Sequence, residues 1–322
     1  MSLTPNPPQG SWTVDSDSPL RVIAGWSDKD TEALQLANWI GNSVPITVQV
    51  VAPSPATWKA PGAPNGKKFR KWLQREKDKF SDRAHSALKA TVARQQWADV
   101  PVRMAASSSD SSSLIEVARD FGADVVVLGS RSARPKGTFL VSTVADSLLD
   151  ANSLPLVVAP RHPKLSRKGI TRITYVYLGY DGFDYPAGLQ QAARIAARLG
   201  VPIRLLAMSP DNLSGADFDA NINTPSDSAE WYEAALGHLD VARDTVFEAA
   251  SQAPGATVVE VDVAVDHGWK RAMHSVKWKK GDLACFAFRR QSQFKRVFFS
   301  GPTSEFLRHC PAPSLIFPPS TA

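Results

Sequence analysis

Residues 123–160 read ADVVVLGSRSARPKGTFLVSTVADSLLDANSLPLVVAP, and the fold turns on them. Residues 124–128 are a short apolar run of the kind a parallel sheet buries on both faces. Gly129 ends the run. A loop with Arg131, Arg134 and Lys136 follows, Ser142 and Thr143 stand where a helix should start, and 156–159 is the next buried strand. A helix start offers unpaired N–H groups and the positive end of the peptide dipole. A glycine at a strand end lets a backbone or a ligand come close. Together these features suit an anion. The same letters also spell an ordinary capped helix after a surface loop, and spacing alone favours that plainer reading.

Upstream of this stretch the pattern alternates strand and helix. Residues 20–26 read as a strand, and Asp30 is placed to cap a helix beginning near Thr31. Ala33, Leu36, Ala37 and Ile40 give that helix one apolar face, and Gly41 is a plausible stop. A strand over 46–51 and a Pro-rich loop over 53–66 come next. The spacing then predicts a long helix from Lys68 to Trp97, with Phe69, Trp72, Leu73, Phe80, Ala84, Ala87 and Leu88 as its buried stripe. A third strand covers 100–105. The serine run 107–113 reads as a polar loop that caps a helix carrying Leu114, Ile115, Ala118 and Phe121, closed by Gly122.

Downstream, RHPKLSRKGIT (161–171) is a basic linker, and the alternation begins again. Strands are predicted over 173–179, 203–208, 257–263, 283–288 and 314–317. Helices are predicted through Leu189–Leu199 with Gly200 as stop, over 229–252, over 269–278 and over 304–309. Both copies close alike, on SLPLVVAP and PAPSLIFPP. The chain therefore divides into a loose tail (1–18), a first domain (19–160), the linker (161–171) and a second domain (172–322). Each domain should be α/β, with a mainly parallel five-stranded sheet and helices on both faces.

The stretch 123–160 resembles the C-terminal half of a universal stress protein domain, and the whole chain resembles two such domains in tandem. That family's nucleotide motif is Gly, two residues, Gly, nine residues, then Gly followed by Ser or Thr. Here the first glycine is Gly129; the others fall on Ser132 and Ser142, and the hydroxyl residue is Thr143. In the second copy the three glycines fall on Ala287, Arg290 and Ser300, with Gly301 at the hydroxyl position. The family's adenine-side Asp matches Asp181 in the second copy. In the first copy it matches Ser27, with Asp28 one place later.

The resemblance implies an adenine nucleotide, ATP with Mg, in the first copy. Carried over by position, its contacts are Trp26, Ser27, Val50, Gly129, Arg131, Ser132, Ser142, Thr143 and Val144. Arg131 and Lys136 would neutralise phosphate charge. Family members dimerise through their last strands, here 156–159 and 314–317, which implies an internal pseudo-dimer and leaves room for a further homo-dimer. Some relatives hydrolyse ATP slowly. An alternative is an interaction or scaffold protein of the same fold that binds no nucleotide.

The composition narrows the other classes. Net charge is +6 and the pI about 9.3. Much of the excess lies in KKFRKWLQREKDK (67–79), which reads as a solvated helix face ahead of a nucleic-acid surface. The six histidines show no metal-ligand spacing, and no Gly-Lys-Ser/Thr phosphate loop or Gly-x-Ser-x-Gly elbow occurs. No catalytic set stands out. Cys285 and Cys310 read as buried thiols rather than a disulfide or metal pair. No apolar run has the ~18–20 residues of a membrane span, and residues 1–19 lack a signal-peptide pattern. Cytoplasm is the expected compartment.

Overall fold

The computed structural model describes residues 18–27, 31–52, 66–105, 111–130, 145, 148, 154–178, 186–210, 228–250, 259–266, 268–287 and 302–318. The first half contributes strands β1 (Leu20–Gly25), β2 (Ile46–Ala52), β3 (Trp97–Met104), β4 (Val125–Leu128) and β5 (Leu156–Val158). Its helices are α1 (Glu32–Gly41), α2 (Lys67–Thr91) and α3 (Ser111–Phe121). The second half contributes β6 (Arg172–Leu178), β7 (Ile203–Pro210), β8 (Val259–Asp266), β9 (Asp282–Ala287) and β10 (Ser314–Phe317). Its helices are α4 (Pro186–Leu199), α5 (Ser228–Ala250), α6 (Trp269–Ser275) and α7 (Pro302–His309).

All ten strands join one sheet in the order β3-β2-β1-β4-β5-β10-β9-β6-β7-β8. Every pair within a half is parallel. The seam is antiparallel, with Ser314 opposite Val158 and Ile316 opposite Leu156. The second half thus repeats the first as its mirror in order, and the C-terminal ends of the two strand sets lie on opposite rims. The seam removes two edges that would otherwise present unpaired backbone groups.

The central strands are buried on both faces, as their unbroken apolar letters require. On β1, Val22 and Ala24 face one core while Ile23 faces the other. α1, α2, α4 and α5 pack on the first face and α3, α6 and α7 on the second. Each core therefore runs across the seam and draws on both halves. The glycines that close α3 and α4 do so in the left-handed region, with φ of 64° at Gly122 and 62° at Gly200, where a Cβ is penalised.

Several element bounds depart from the sequence reading. α2 ends at Thr91 rather than Trp97, because Val92 is extended (φ −119°, ψ 134°). A single 3-10 turn, Arg94–Gln96, follows, and Trp97 opens β3 with its indole N–H donating to the Val92 carbonyl at 3.0 Å. α6 likewise ends at Ser275, not Trp278, since Val276 turns extended (φ −80°, ψ 128°). Trp278 instead packs edge-on against Phe306, ring centroids 6.3 Å apart. β8, described over Val259–Asp266, runs past its expected end at 263, while residues 257 and 258 lie outside the described residues. Thr31 occupies the cap position of α1 without a capping side-chain bond, and Asp30 lies outside the described residues.

Candidate functional site

The site begins with topology. β1 leads through α1 to β2 on one side, and β4 leads to β5 on the other, so the strand order reverses between β1 and β4. In an open parallel sheet, such a reversal leaves a crevice beyond the C-terminal strand ends. Of the residues expected in one site, Trp26 and Ser27 follow β1 and Gly129 follows β4, beside this switch point, while Val50 lies on the neighbouring β2. Ala24 pairs with Val50, Gly25 with Leu128, and the Trp26 N–H donates to the Val51 carbonyl at 3.0 Å. Gly129 follows β4 directly. Arg131, Ser132, Ser142, Thr143 and Val144 lie outside the described residues, as do Lys136, Asp28 and Asp181.

The four described positions differ in character. Val50 is fully buried and Trp26 nearly so, within the core on the α1 face. The Trp26 indole Nε1 is buried and makes no hydrogen bond. Ser27 is half-buried at the strand end. Gly129 is explained by its surroundings. A Cβ there would stand 3.1 Å from the Glu32 Cβ and 3.2 Å from the Ala33 backbone nitrogen. The missing side chain admits the first turn of α1, which brings that helix start against the strand end.

The second half solves the same packing problem from the other side. Ala287 ends β9 where Gly129 follows β4. The glycine is now on the helix: a Cβ on Gly188, in the first turn of α4, would meet the Ala287 Cβ at 2.7 Å and the Tyr175 hydroxyl at 2.8 Å. Tyr175 is buried and hydrogen-bonds to the backbone of Ala287. Its ring lies edge-on to Tyr177, centroids 5.0 Å apart. Burial holds both phenols well above the ordinary tyrosine range. By strand register Tyr175 and Tyr177 stand level with Ala24 and Trp26, since Val22 pairs with Val125 as Ile173 pairs with Leu283. The same count sets Ser27 level with Leu178. None of these tyrosine and glycine roles was legible in the sequence; a Gly directly after Pro-Ala at a helix start was the sole cue.

At the opposite ends of the second-half strands lies a charged network that the sequence reading missed. Arg172 donates through Nε and Nη2 to the fully buried Asp282, both at 2.8 Å, and through Nη1 to Glu260 at 2.8 Å. Lys279 adds a backbone N–H to Asp282 at 2.8 Å. Arg204 approaches Asp282 at 3.6 Å and lies over the Trp278 ring, 5.1 Å from its centroid. Burial works against the charge on Arg172, but Asp282 and Glu260 more than offset it and its pKa is raised. Burial and the neighbouring Arg172 lower that of Arg204. The first half places an Arg and an Asp at the same register but does not pair their charges. The Arg21 backbone N–H donates to Asp124 at 2.7 Å, while the Arg21 guanidinium donates to the Phe121 carbonyl at 2.7 Å and lies over the Phe121 ring.

Among the described residues no group of three or more His, Cys, Asp or Glu could hold a metal on its own, and no helix is long and apolar enough to cross a membrane. Both cysteines are free and buried. The basic helix face is solvated and partly self-paired, with Lys79 bonded to Glu76 at 2.8 Å.

A mostly parallel α/β sheet built from one five-stranded pattern used twice defines the class of protein. The family model described as "Universal stress protein family" matches the chain twice, over 25–160 and 177–318. The chain belongs to that family, as two domains in tandem. Universal stress proteins of Mycobacterium tuberculosis and Mycobacterium bovis are each 23% identical over 214 residues, covering 66% of this chain and 70% of theirs. The crystal structure of a universal stress protein from Archaeoglobus fulgidus superposes with a TM-score of 0.55 at 10% identity, covering 92% of this chain and 98% of that one. A putative universal stress protein from Pseudomonas aeruginosa superposes at 0.50, also at 10% identity, covering 94% of each chain. At such identities the structures speak to the fold alone.

Proposed function

We propose that this universal stress protein holds an adenine nucleotide, ATP with Mg, in its first half and acts as a stress-response module, non-catalytic or at most a slow ATPase. One observation supports the reading: Trp26, Ser27 and Gly129, carried over from the family by position, lie at the ends of β1 and β4 beside the sheet's switch point, where α/β sheets take ligands, with Val50 on the neighbouring β2. Trp26, Ser27 and Val50 would face the base and ribose. Gly129, Arg131, Ser132, Ser142, Thr143 and Val144 would follow the phosphates, with Arg131 and Lys136 matching their charge. The second half, with Ala287 for glycine and the Tyr175 hydroxyl at the start of α4, is the poorer host.

A second reading has its own support. Gly129 is already accounted for by the α1 contact, so its presence does not require a ligand. On that reading the chain is an interaction or scaffold protein of the same fold. A thermal melt separates the two. A nucleotide at a hundredfold excess over its Kd stabilises the chain by ~2.7 kcal/mol, so the first reading expects a clear rise with ATP–Mg. Ser132→Arg should abolish that rise. No rise in the parent protein supports the scaffold, and a rise untouched by Ser132→Arg rejects the assigned loop.

A further inference from the structure

One side chain at the first mouth has no part in the assignments above. Glu32 opens α1, and its carboxylate is only 5% exposed. Its Oε1 accepts a hydrogen bond from the His162 backbone N–H at 3.3 Å and lies 3.7 Å from the His162 Nδ1. Its Oε2 is buried and has no hydrogen-bond partner. A carboxylate oxygen removed from water and left unpaired is unfavourable, and proteins rarely keep one without a use. The place is specific. Glu32 is the residue against which Gly129 packs, so its side chain springs from beside the first glycine of the nucleotide motif. The opposing contact is strained as well: His162 is the one non-glycine residue with positive φ, 49°, among the described residues.

We propose that Glu32 is a ligand for the divalent cation that accompanies the nucleotide's phosphates, an inference that rests on the nucleotide reading above. Mg2+ characteristically takes one or two carboxylates and completes its octahedron with phosphate oxygens and water. A lone carboxylate suits that role and cannot hold the ion unaided. Cation and nucleotide therefore bind as linked partners, each strengthening the other by the same factor. The sign of the effect is distinctive. Beside bare phosphates the Glu32 carboxylate repels, because like charges in a poorly solvated site interact strongly. Beside metal-loaded phosphates it attracts.

The test is calorimetric titration of the full chain with ATP in EDTA and with ATP–Mn2+, for the parent protein and for Glu32→Gln. Mn2+ should tighten ATP binding to the parent by about tenfold or more. In Glu32→Gln that gain should vanish, while metal-free ATP binds at least as tightly as before. A merely structural Glu32 would instead weaken both titrations together. Equal loss in both, or a full Mn2+ gain retained in Glu32→Gln, overturns the proposal and leaves the nucleotide reading standing. If the parent binds ATP in neither buffer, the nucleotide reading itself falls. Should Glu32→Gln fail to fold, Glu32→Asp carries the test: keeping the charge on a shorter arm, it should lose the Mn2+ gain without tightening metal-free binding.

Discussion

The exchange of glycine between strand and helix can be tested by moving it back. Gly188→Ala puts a methyl 2.7 Å from the Ala287 Cβ and 2.8 Å from the Tyr175 hydroxyl. Neither neighbour is a flexible chain end, since both are buried or held on β-strands. Overpacking of this kind costs roughly 1–3 kcal/mol, against which alanine's better helix propensity returns up to ~1 kcal/mol. Ala287→Gly alone removes one methyl, about 0.8 kcal/mol of burial. If the two positions share one slot, the double variant should be more stable than the sum of the singles by ~1–2 kcal/mol. The hydroxyl clash is not relieved by the exchange, so the cycle is best run with Tyr175→Phe throughout. Urea denaturation supplies the free energies, read from midpoints at constant slope. Because both cores cross the seam, one transition is expected. Additivity within ~0.5 kcal/mol would show that the positions do not share the slot.

Three further outcomes follow from the same geometry. Gly129→Ala should destabilise the ligand-free chain by ~1–3 kcal/mol in urea, because the α1 backbone must move; unchanged stability with lost ATP affinity would assign the glycine to the ligand instead. Arg172→Met strands the buried Asp282 and should cost ~3–5 kcal/mol, whereas Arg21→Met, on an exposed side chain, should cost under ~1 kcal/mol by the same denaturation. Burial pushes the Cys310 thiol up to about 12 from an ordinary 9.0 and moves Cys285 the same way. The folded state thus keeps protons that the unfolded chain releases above pH 9. Stability should be indifferent to these groups below about pH 9 and fall as pH rises from 9 toward 12. Ellman's reagent should find neither thiol at pH 8 until urea unfolds the chain.

The strands, the repeat and the glycine helix stops were legible because they depend on local letters. Val125–Leu128 and Leu156–Val158 are apolar throughout, and Gly122 and Gly200 adopt the left-handed turn their positions suggest. Trp97 and Trp278 misled the reading because each continues a helical apolar spacing. Their real places are set by tertiary contacts, the Val92 carbonyl for one and Phe306 for the other. The motif spacing named Gly129, which follows β4 at the sheet's switch point. It did not show what fills the space beside the glycine, since Glu32 and Ala33 lie almost a hundred residues away in the chain. Nor does any letter pattern mark Glu32 as buried, because a first-turn glutamate on a helix is usually a solvated partner of the dipole.

The two halves have diverged at opposite ends of the same frame. Arg21 with Asp124 and Arg172 with Asp282 occupy equivalent register positions, but only the second is a side-chain ion pair, since Asp124 accepts the Arg21 backbone N–H instead. In the second half the pair has drawn in Arg204, Glu260 and Asp262 and has Trp278 beside it. Buried ion pairs seldom add net stability over well-packed apolar side chains, so stability is a weak reason for the elaboration. Register is a better one. A one-residue slip of β6, β7, β8 or β9 would turn its charged side chain to the other face, leaving Asp282 without its arginines. The network therefore fixes four strands against one another at the end away from the mouth. At the mouth, the same half seats Tyr175 against the start of α4. The first half has a glycine just after the strand and a helix that opens on a carboxylate with one unpaired oxygen.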